Sequence, residues 1–387
     1  MVVTTPTHTP GQHQGERFIA LDSLRGLAAV MVVVFHMGAF GLIASLEVFR
    51  HAWLMVDFFF VLSGFVIAAS YGDRLAGGFS RTRFMLLRLG RVVPLHAATV
   101  LAFLAFEVLF VRLVLHQNHD VFYFWRGFLL LDGFAEHTGN FYAPVSWSIS
   151  VEVMLYLAAA VLFSLGRTGL AIAVAGATAA LLAMATGWNH TGFGILLQRG
   201  VLGFSLGVLC FAVHRRWNWR IDVASVTALE LALIAAVTWL LVEMPFGRFT
   251  TIASYPLFAA TVLVFARDRG WVSRWLQLGP LVWIGTLSYS IYMTHMLLLR
   301  PLNRAMPMVL EAFGRQDLIG SPSNSFGLLT MELGDTAETF VTIGLVALVL
   351  VMSNYSWRYL EEPARQWSRR QAKRWADARA EQGAVPA

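Results

Sequence analysis

Cys210 is the only cysteine in this chain of 387 residues. An internal disulfide is therefore impossible, and a metal cluster built on cysteines is excluded. Charge is scarce too: Asp, Glu, Lys and Arg make up 13% of the sequence against 57% hydrophobic residues, with mean hydropathy +0.62. Soluble domains carry about 25% charged residues, so a soluble globular class is excluded. Lysine is nearly absent, Lys373 being the only one, so an arginine at any given site is not by itself diagnostic of phosphate binding. No linker with room for a soluble domain appears, no internal repeat is visible, and no His/Asp/Glu group has metal-ligand spacing.

The sequence is instead rich in apolar runs. Ten are long enough to span a bilayer: about 18–44, 52–70, 92–115, 141–165, 169–186, 195–213, 221–242, 250–266, 281–299 and 337–356. The expected fold is all-α, a polytopic domain over 18–356 between a polar tail 1–17 and a basic tail 357–387. Residues 1–17 hold only Arg17 as a base and no small-residue cleavage site follows, so the first span is expected to be retained. With the N-terminus placed in the cytoplasm, twenty basic residues fall on the cytoplasmic side and eight opposite, with Arg25 inside the first span. The positive-inside rule then puts both termini in the cytoplasm, as an even number of spans requires. The net charge of +6 reflects this topology and the anionic headgroups of the bilayer. A basic face with a reading element is missing, so nucleic acid is not an expected partner. The end of the basic tail, 364–387, is expected to be helical, then frayed, and to lie along anionic lipid.

Three segments carry polar residues where hydrocarbon makes them costly. In the first span Asp22, Arg25 and His36 share one helix face, because eleven positions are three turns plus about 20°, with Arg25 and His36 roughly 16 Å apart. They line a wet cavity, or Asp22 merely pairs with Arg25 at the interface while His36 packs in the core. In the second segment, 71–96, Arg88 and Arg91 are three apart and neighbours on one face, with Arg83 close behind. They form either a phosphate site or a topology signal. In the third, Glu152 lies four residues after Ser148 and four before Tyr156, a polar stripe on the fourth span. The Ser-x-x-Glu spacing of a capping box is missing, since Ile149 stands three before Glu152, although the helix dipole still favours a carboxylate there.

The order of these segments resembles the acyltransferase-3 family of membrane acyltransferases. The matching residues are Arg25-x₁₀-His36 after LDSLRG, VDFFFVLSGFVI ending at Ile67, Arg88-x-x-Arg91, and SWSISVE ending at Glu152. LSYSIYMTH (Leu287 to His295) and WRYLEEPARQW (Trp357 to Trp367) are similar to the family's closing pattern. The resemblance implies a multi-pass protein of the bacterial inner membrane that moves an acyl group, acetyl being expected, from acyl-coenzyme A to a hydroxyl. The implied acceptor is a carbohydrate or glycolipid of the cell surface or an exported glycan. It also implies roles. His36 would be the general base, Arg25 and Asp22 would organise the cytoplasmic end of its cavity, and Arg88, Arg91 and Arg83 would hold the phosphates of coenzyme A. Glu152 would orient His36 or the acceptor, and His295 is either a second cavity group or a packing residue. A continuous cavity from the arginine pair to His36 is expected, with donor and acceptor on opposite sides of the bilayer. Direct transfer and a transient acyl-histidine stay open, as does a small cytosolic acceptor such as an antibiotic sugar. From another class, a proton-coupled secondary transporter would also have intramembrane His, Arg and Glu. Against it stand the lack of paired, Gly/Pro-broken halves and an Arg-x-x-Arg without a role in transport. In the outer segments 116–140 and 300–336, Trp125, Asp132, Glu136, His137, Asn140, Arg304 and Arg315 are candidates to meet a carbohydrate.

Overall fold

The structure, a computed structural model, describes residues 17–37, 41–43, 46–112, 121–134, 144–188, 194–217, 221–319 and 333–383. Among these there is no strand, and ten helices are long and apolar enough to cross a membrane. They are α1 (Ile19–Met37), α2 (Met55–Ile67), α3 (Arg81–Phe106), α4 (Ser146–Leu162) and α5 (Arg167–Thr186). The second half comprises α6 (Ile195–Arg216), α7 (Val223–Glu243), α8 (Arg248–Phe265), α9 (Gly279–Ala312) and α10 (Asp335–Ser356). A π-type turn, Trp357–Glu361, carries α10 without a break into α11 (Glu362–Gly383).

The ten expected spans are all present, with two large differences in extent. Helix α3 starts at Arg81 rather than near residue 92, capped by the Ser80 hydroxyl, which accepts from the Arg83 backbone N–H at 3.3 Å. Its arginines lower local hydropathy without lowering helix propensity, so the helix outruns its apolar part. Helix α9 likewise continues past 299 to Ala312 through Pro301 and Pro307. The basic tail is helical as α11, and it packs on α3, where a Cβ at Gly90 would lie 2.3 Å from the Ser368 Cβ.

Two pairs of parallel helices form the centre by bringing backbones together at glycine. A Cβ at Gly26 of α1 would stand 2.5 Å from the Gly285 nitrogen of α9, and one at Gly64 of α2 would stand 2.0 Å from the Phe204 carbonyl oxygen of α6. Small residues at such crossings let helices approach closely without a hydrophobic drive, which lipid does not supply. A buried ion pair adds to the α2–α6 contact. Arg199 donates to both oxygens of Asp57, Nε–Oδ1 2.9 Å and Nη2–Oδ2 2.8 Å, and Tyr255 of α8 donates to Oδ1 at 2.8 Å. The guanidinium lies between Trp53 and Trp147, 5.0 and 5.1 Å from their rings. Large apolar side chains of α5, α7 and α10 (Leu182, Trp239, Ile343 and Val351 among them) face outward, as a lipid-contacting surface requires.

Candidate active site

The crossing of α1 with α9 fixes the first polar group. Arg25 projects toward α9, where Nε donates to the Ser288 hydroxyl at 2.8 Å and Nη2 reaches the Gly285 carbonyl at 3.4 Å. One turn earlier Asp22 pairs with the same guanidinium at 3.2 Å and with Arg17 at 3.4 Å. Arg25 is thus held from three directions and acts as a fixed charge. Asp22 serves as its partner and does not itself line the neighbouring cavity.

That cavity has a volume of about 100 Å³ and is lined by residues of α1, α2, α3, α4 and α9. Its apolar wall is the face of α2 from Val56 to Ile67, with Phe59, Phe60 and Val66. Eleven positions along a helix are roughly 16 Å, so the space is elongated along the helix axes. Its polar groups are Arg25, Arg88, Arg91, Glu152 and Tyr156, with Ser63, Ser148, Ser288, Tyr289 and Tyr292. The structure therefore brings together four expected site residues: Arg25, Arg88, Arg91 and Glu152. Arg83 lies outside, its guanidinium 5.2 Å from the Phe79 ring.

The two arginines of α3 differ. Arg88 donates from Nη2 to the Tyr71 hydroxyl at 3.0 Å and stacks on that ring at 4.7 Å. Arg91, one turn on, makes no side-chain hydrogen bond or ion pair among the described residues and lines the cavity. Glu361, Glu152 and Asp22 act on it through space as opposite charges. Glu361, in the turn after α10, is buried and accepts from Ser290 of α9 at 2.8 Å. Glu152 accepts through Oε1 from Tyr156 at 2.5 Å and from Ser63 of α2 at 3.1 Å. The stripe of Ser148, Glu152 and Tyr156 read from the sequence is therefore present, and its Ser148 end bonds the Tyr292 hydroxyl of α9 at 2.8 Å.

His36 is placed otherwise than expected. It does not line the cavity, and Glu152 makes no bond to it. Its Nδ1 lies 2.9 Å from the Val32 carbonyl oxygen and 3.3 Å from Nε2 of His295. The His295 ring is in turn 6.0 Å from that of Tyr292, a cavity residue, so His36 joins the cavity through α9 rather than opening into it. The lining of the described cavity does not include His36, whose link to it is His295 and, beside that ring, Tyr292. Sequence reasoning gave no role to Tyr292, Ser288 or Glu361. Ser288, Tyr292 and His295 stand at i, i+4 and i+7 in an apolar span, a stripe that would have disclosed them.

Of the outer candidates, Asp132 is buried, bonded to Arg126 at 2.8 Å and to Ser146, so it does not meet an acceptor. Trp125 is exposed, whereas Glu136, His137 and Asn140 lie outside the described residues. No group of His, Cys, Asp and Glu fit to hold a metal occurs among the described residues. The site is thus a slot of about 100 Å³ with three cations, two of them hydrogen-bonded to protein groups and one without a side-chain hydrogen bond among the described residues, opposite a hydrogen-bonded carboxylate. It suits an elongated ligand carrying negative charge at the arginine end.

The acyltransferase-3 family, described as an acyltransferase domain, matches residues 18–353. A Rhizobium radiobacter protein named "Protein 2 in picA locus" is 32% identical over 152 residues, 38% of this chain and 74% of that one. A Komagataeibacter xylinus protein named as a membrane-bound transacylase, BcsY, is 27% identical over 293 residues, 71% of each chain. No solved structure matches. With the family's match running from the start of α1 almost to the end of α10, and the cavity residues all within it, the chain belongs to the acyltransferase-3 family of membrane acyltransferases.

Proposed function

We propose that this protein transfers an acyl group, acetyl in the simplest case, from acyl-coenzyme A to a hydroxyl of a carbohydrate-containing acceptor. The observation that carries the donor assignment is Arg91, a cavity-lining arginine that makes no side-chain hydrogen bond among the described residues and meets Glu361 and Glu152 only through space, beside the partly engaged Arg88. Hydrogen-bond donors left unused are costly in a membrane unless a ligand completes them, and phosphate oxygens are the geometric match for a guanidinium. On this reading the phosphates of coenzyme A bind at the N-terminal end of α3, and the pantetheine arm runs along the α2 wall toward Tyr292. The positive-inside count supports a cytoplasmic position for that end, where acyl-coenzyme A is made, in the bacterial inner membrane. The acceptor enters from the opposite end, where Glu152 and Ser148 offer hydrogen bonds to hydroxyls.

In the reaction His36 takes the acceptor hydroxyl proton as the oxygen attacks the thioester carbonyl carbon. The new C–O bond forms, the C–S bond breaks, and the thiolate leaves with the proton that His36 returns. On this reading the acyl group reaches His36 past Tyr292, whose ring is 6.0 Å from that of His295. Transfer of label from acyl-coenzyme A to cell-envelope polysaccharide, compared in cells with and without this protein, tests the reading. Label in the polysaccharide only when the protein is present is expected, and equal labelling overturns it.

A further inference from the structure

We propose that Arg74 and Arg83 bind a phosphate group just outside the arginine end of the cavity, the 3′-phosphate on the ribose of the acyl-coenzyme A donor. The inference rests on the donor reading above and concerns the part of the donor that the cavity cannot take. A volume of about 100 Å³ is too small for a nucleotide, since pockets that enclose drug-sized ligands measure about 300–1,000 Å³. Only the narrow pantetheine arm fits, so the nucleotide end has to lie beyond Arg88, the first residue of α3 to line the cavity.

The segment DRLAGGFSRTR, Asp73 to Arg83, builds a cationic cluster there. The helical turn Asp73–Ala76 stops at two glycines, and Gly78 has φ +90°, which glycine adopts without strain. The turn closes as a Schellman motif: the Gly78 N–H donates to the Leu75 carbonyl at 3.2 Å and the Phe79 N–H to the Arg74 carbonyl at 2.8 Å. Phe79 is thereby folded back against the Arg74 side chain, whose guanidinium carbon is 4.2 Å from the ring centroid. Ser80 then caps α3, and Arg83, in its first turn, returns to the same ring at 5.2 Å. The Phe79 ring stands 6.1 Å from that of Tyr71, on which Arg74 also lies at 5.0 Å and Arg88 at 4.7 Å. Two rings thus gather three guanidinium groups into one cluster, from the exposed Arg74 to the cavity wall at Arg88.

Protein groups do not cancel this charge. Neither Arg74 nor Arg83 makes a side-chain hydrogen bond or ion pair among the described residues, and the Nε atoms of Arg83 and Arg88 are buried without a hydrogen-bond partner there. The neighbouring carboxylate, Asp73, gives its two oxygens to Arg215 at 2.7 and 2.8 Å. A phosphate monoester, with nearly two negative charges and three acceptor oxygens, is the group that completes such a cluster. In the donor the monoester is the 3′-phosphate, whereas the diphosphate next to the pantetheine arm falls to Arg88 and Arg91. Arg83 precedes Arg88 by five residues, about 7.5 Å of helical rise, which is of the order of the spacing between the 5′ and 3′ phosphates of one ribose. A lipid headgroup phosphate has similar chemistry, and the test separates the two sources.

The test uses the full chain in phosphatidylcholine nanodiscs, titrated calorimetrically with acetyl-coenzyme A and with acetyl-3′-dephospho-coenzyme A, which differs only in lacking that phosphate. The wild type is expected to bind the first about 10-fold more tightly or better. In the double variant Arg74→Gln, Arg83→Gln, Kd for acetyl-coenzyme A is expected to rise about 5- to 50-fold, the exposure of Arg74 holding the effect below that of a buried contact. Kd for the dephospho thioester is expected to stay within about twofold, so the preference disappears. Arg74→Gln alone changes an exposed side chain, is expected to lower the preference about threefold or more, and decides the matter should the double variant not fold. Equal affinities of the wild type for the two thioesters, or a full preference retained in the variants, overturns the proposal. Acetyl-coenzyme A bound without that preference confines the failure to Arg74 and Arg83, whereas no binding of either thioester marks it as a failure of the donor reading. In nanodiscs with added phosphatidylglycerol the preference is expected to persist. A wild type without preference, whose retention of phosphatidylglycerol in native mass spectra falls in the variants, assigns the cluster to a lipid headgroup and overturns the proposal as well.

Discussion

Replacing Arg91 with Met separates ligand binding from protein stability better than any other change in the cavity. Arg25 is tied to Asp22, Ser288 and Gly285, and Arg88 to Tyr71, so removing either leaves protein groups without partners. Arg91 makes no side-chain hydrogen bond among the described residues; its charge is repelled by Arg25 and attracted by Glu361 and Glu152. Arg91→Met is therefore expected to lower the melting temperature in nanodiscs modestly, through the lost attraction to the two carboxylates. If the guanidinium meets a donor phosphate, the larger loss appears in binding. A charge-assisted hydrogen bond contributes about 1.5–3 kcal/mol, which corresponds to roughly 10- to 150-fold in Kd. Isothermal titration with acetyl-coenzyme A measures that ratio, and titration with dephosphorylated pantetheine supplies the control, whose affinity is expected not to change. An unchanged Kd for acetyl-coenzyme A in Arg91→Met, with the fold intact, would refute the phosphate assignment and leave the arginine pair as a topology signal.

Other consequences follow from particular contacts. Asp57→Ala strands Arg199 between two indole rings and is expected to cost about 3–5 kcal/mol of stability, read as a lower thermal midpoint, whereas joint replacement of Asp57 and Arg199 by Met should recover most of it. Gly285→Ala puts a methyl group 2.5 Å from the Asp22 carbonyl oxygen, so α1 and α9 must separate; a cost of at least about 1–3 kcal/mol is expected, together with loss of the Arg25–Ser288 bond, and a wild-type midpoint would show the contact to be looser. Glu152→Gln keeps an oxygen for Tyr156 and Ser63 and removes only charge, so the acceptor KM should rise while the donor Kd holds; the opposite split would move Glu152 to the donor end.

The spans and the local pairs were legible in the sequence because both are short-range properties. Apolar length locates α1 to α10, and helix geometry places Asp22 beside Arg25, Arg88 beside Arg91, and Ser148, Glu152 and Tyr156 on one stripe. What joins one helix to another was not legible. His36 and His295 are 259 positions apart, and Asp57 and Arg199 are 142 apart, and no periodicity within a span encodes such a distance. The same limit applies to His36: its helix face was legible, but not the His295 of α9 beside it. Arg199 was counted among the bases opposite the cytoplasm, yet it is the buried partner of Asp57, since charge counting sees the sign of a residue and not its neighbour.

The central claim, acyl transfer from acyl-coenzyme A with His36 as base, is tested most directly by turnover of purified protein. Wild type and His36→Ala, reconstituted in nanodiscs, would be supplied with radiolabelled acetyl-coenzyme A and polysaccharide from cells lacking the protein, and label in the glycan counted against free thiol released. The account predicts one acyl group transferred per thiol released by the wild type, and a rate about 10²- to 10⁴-fold lower in a folded His36→Ala protein. Equal rates in the two proteins, or no transfer by a wild type that binds acetyl-coenzyme A, would contradict it.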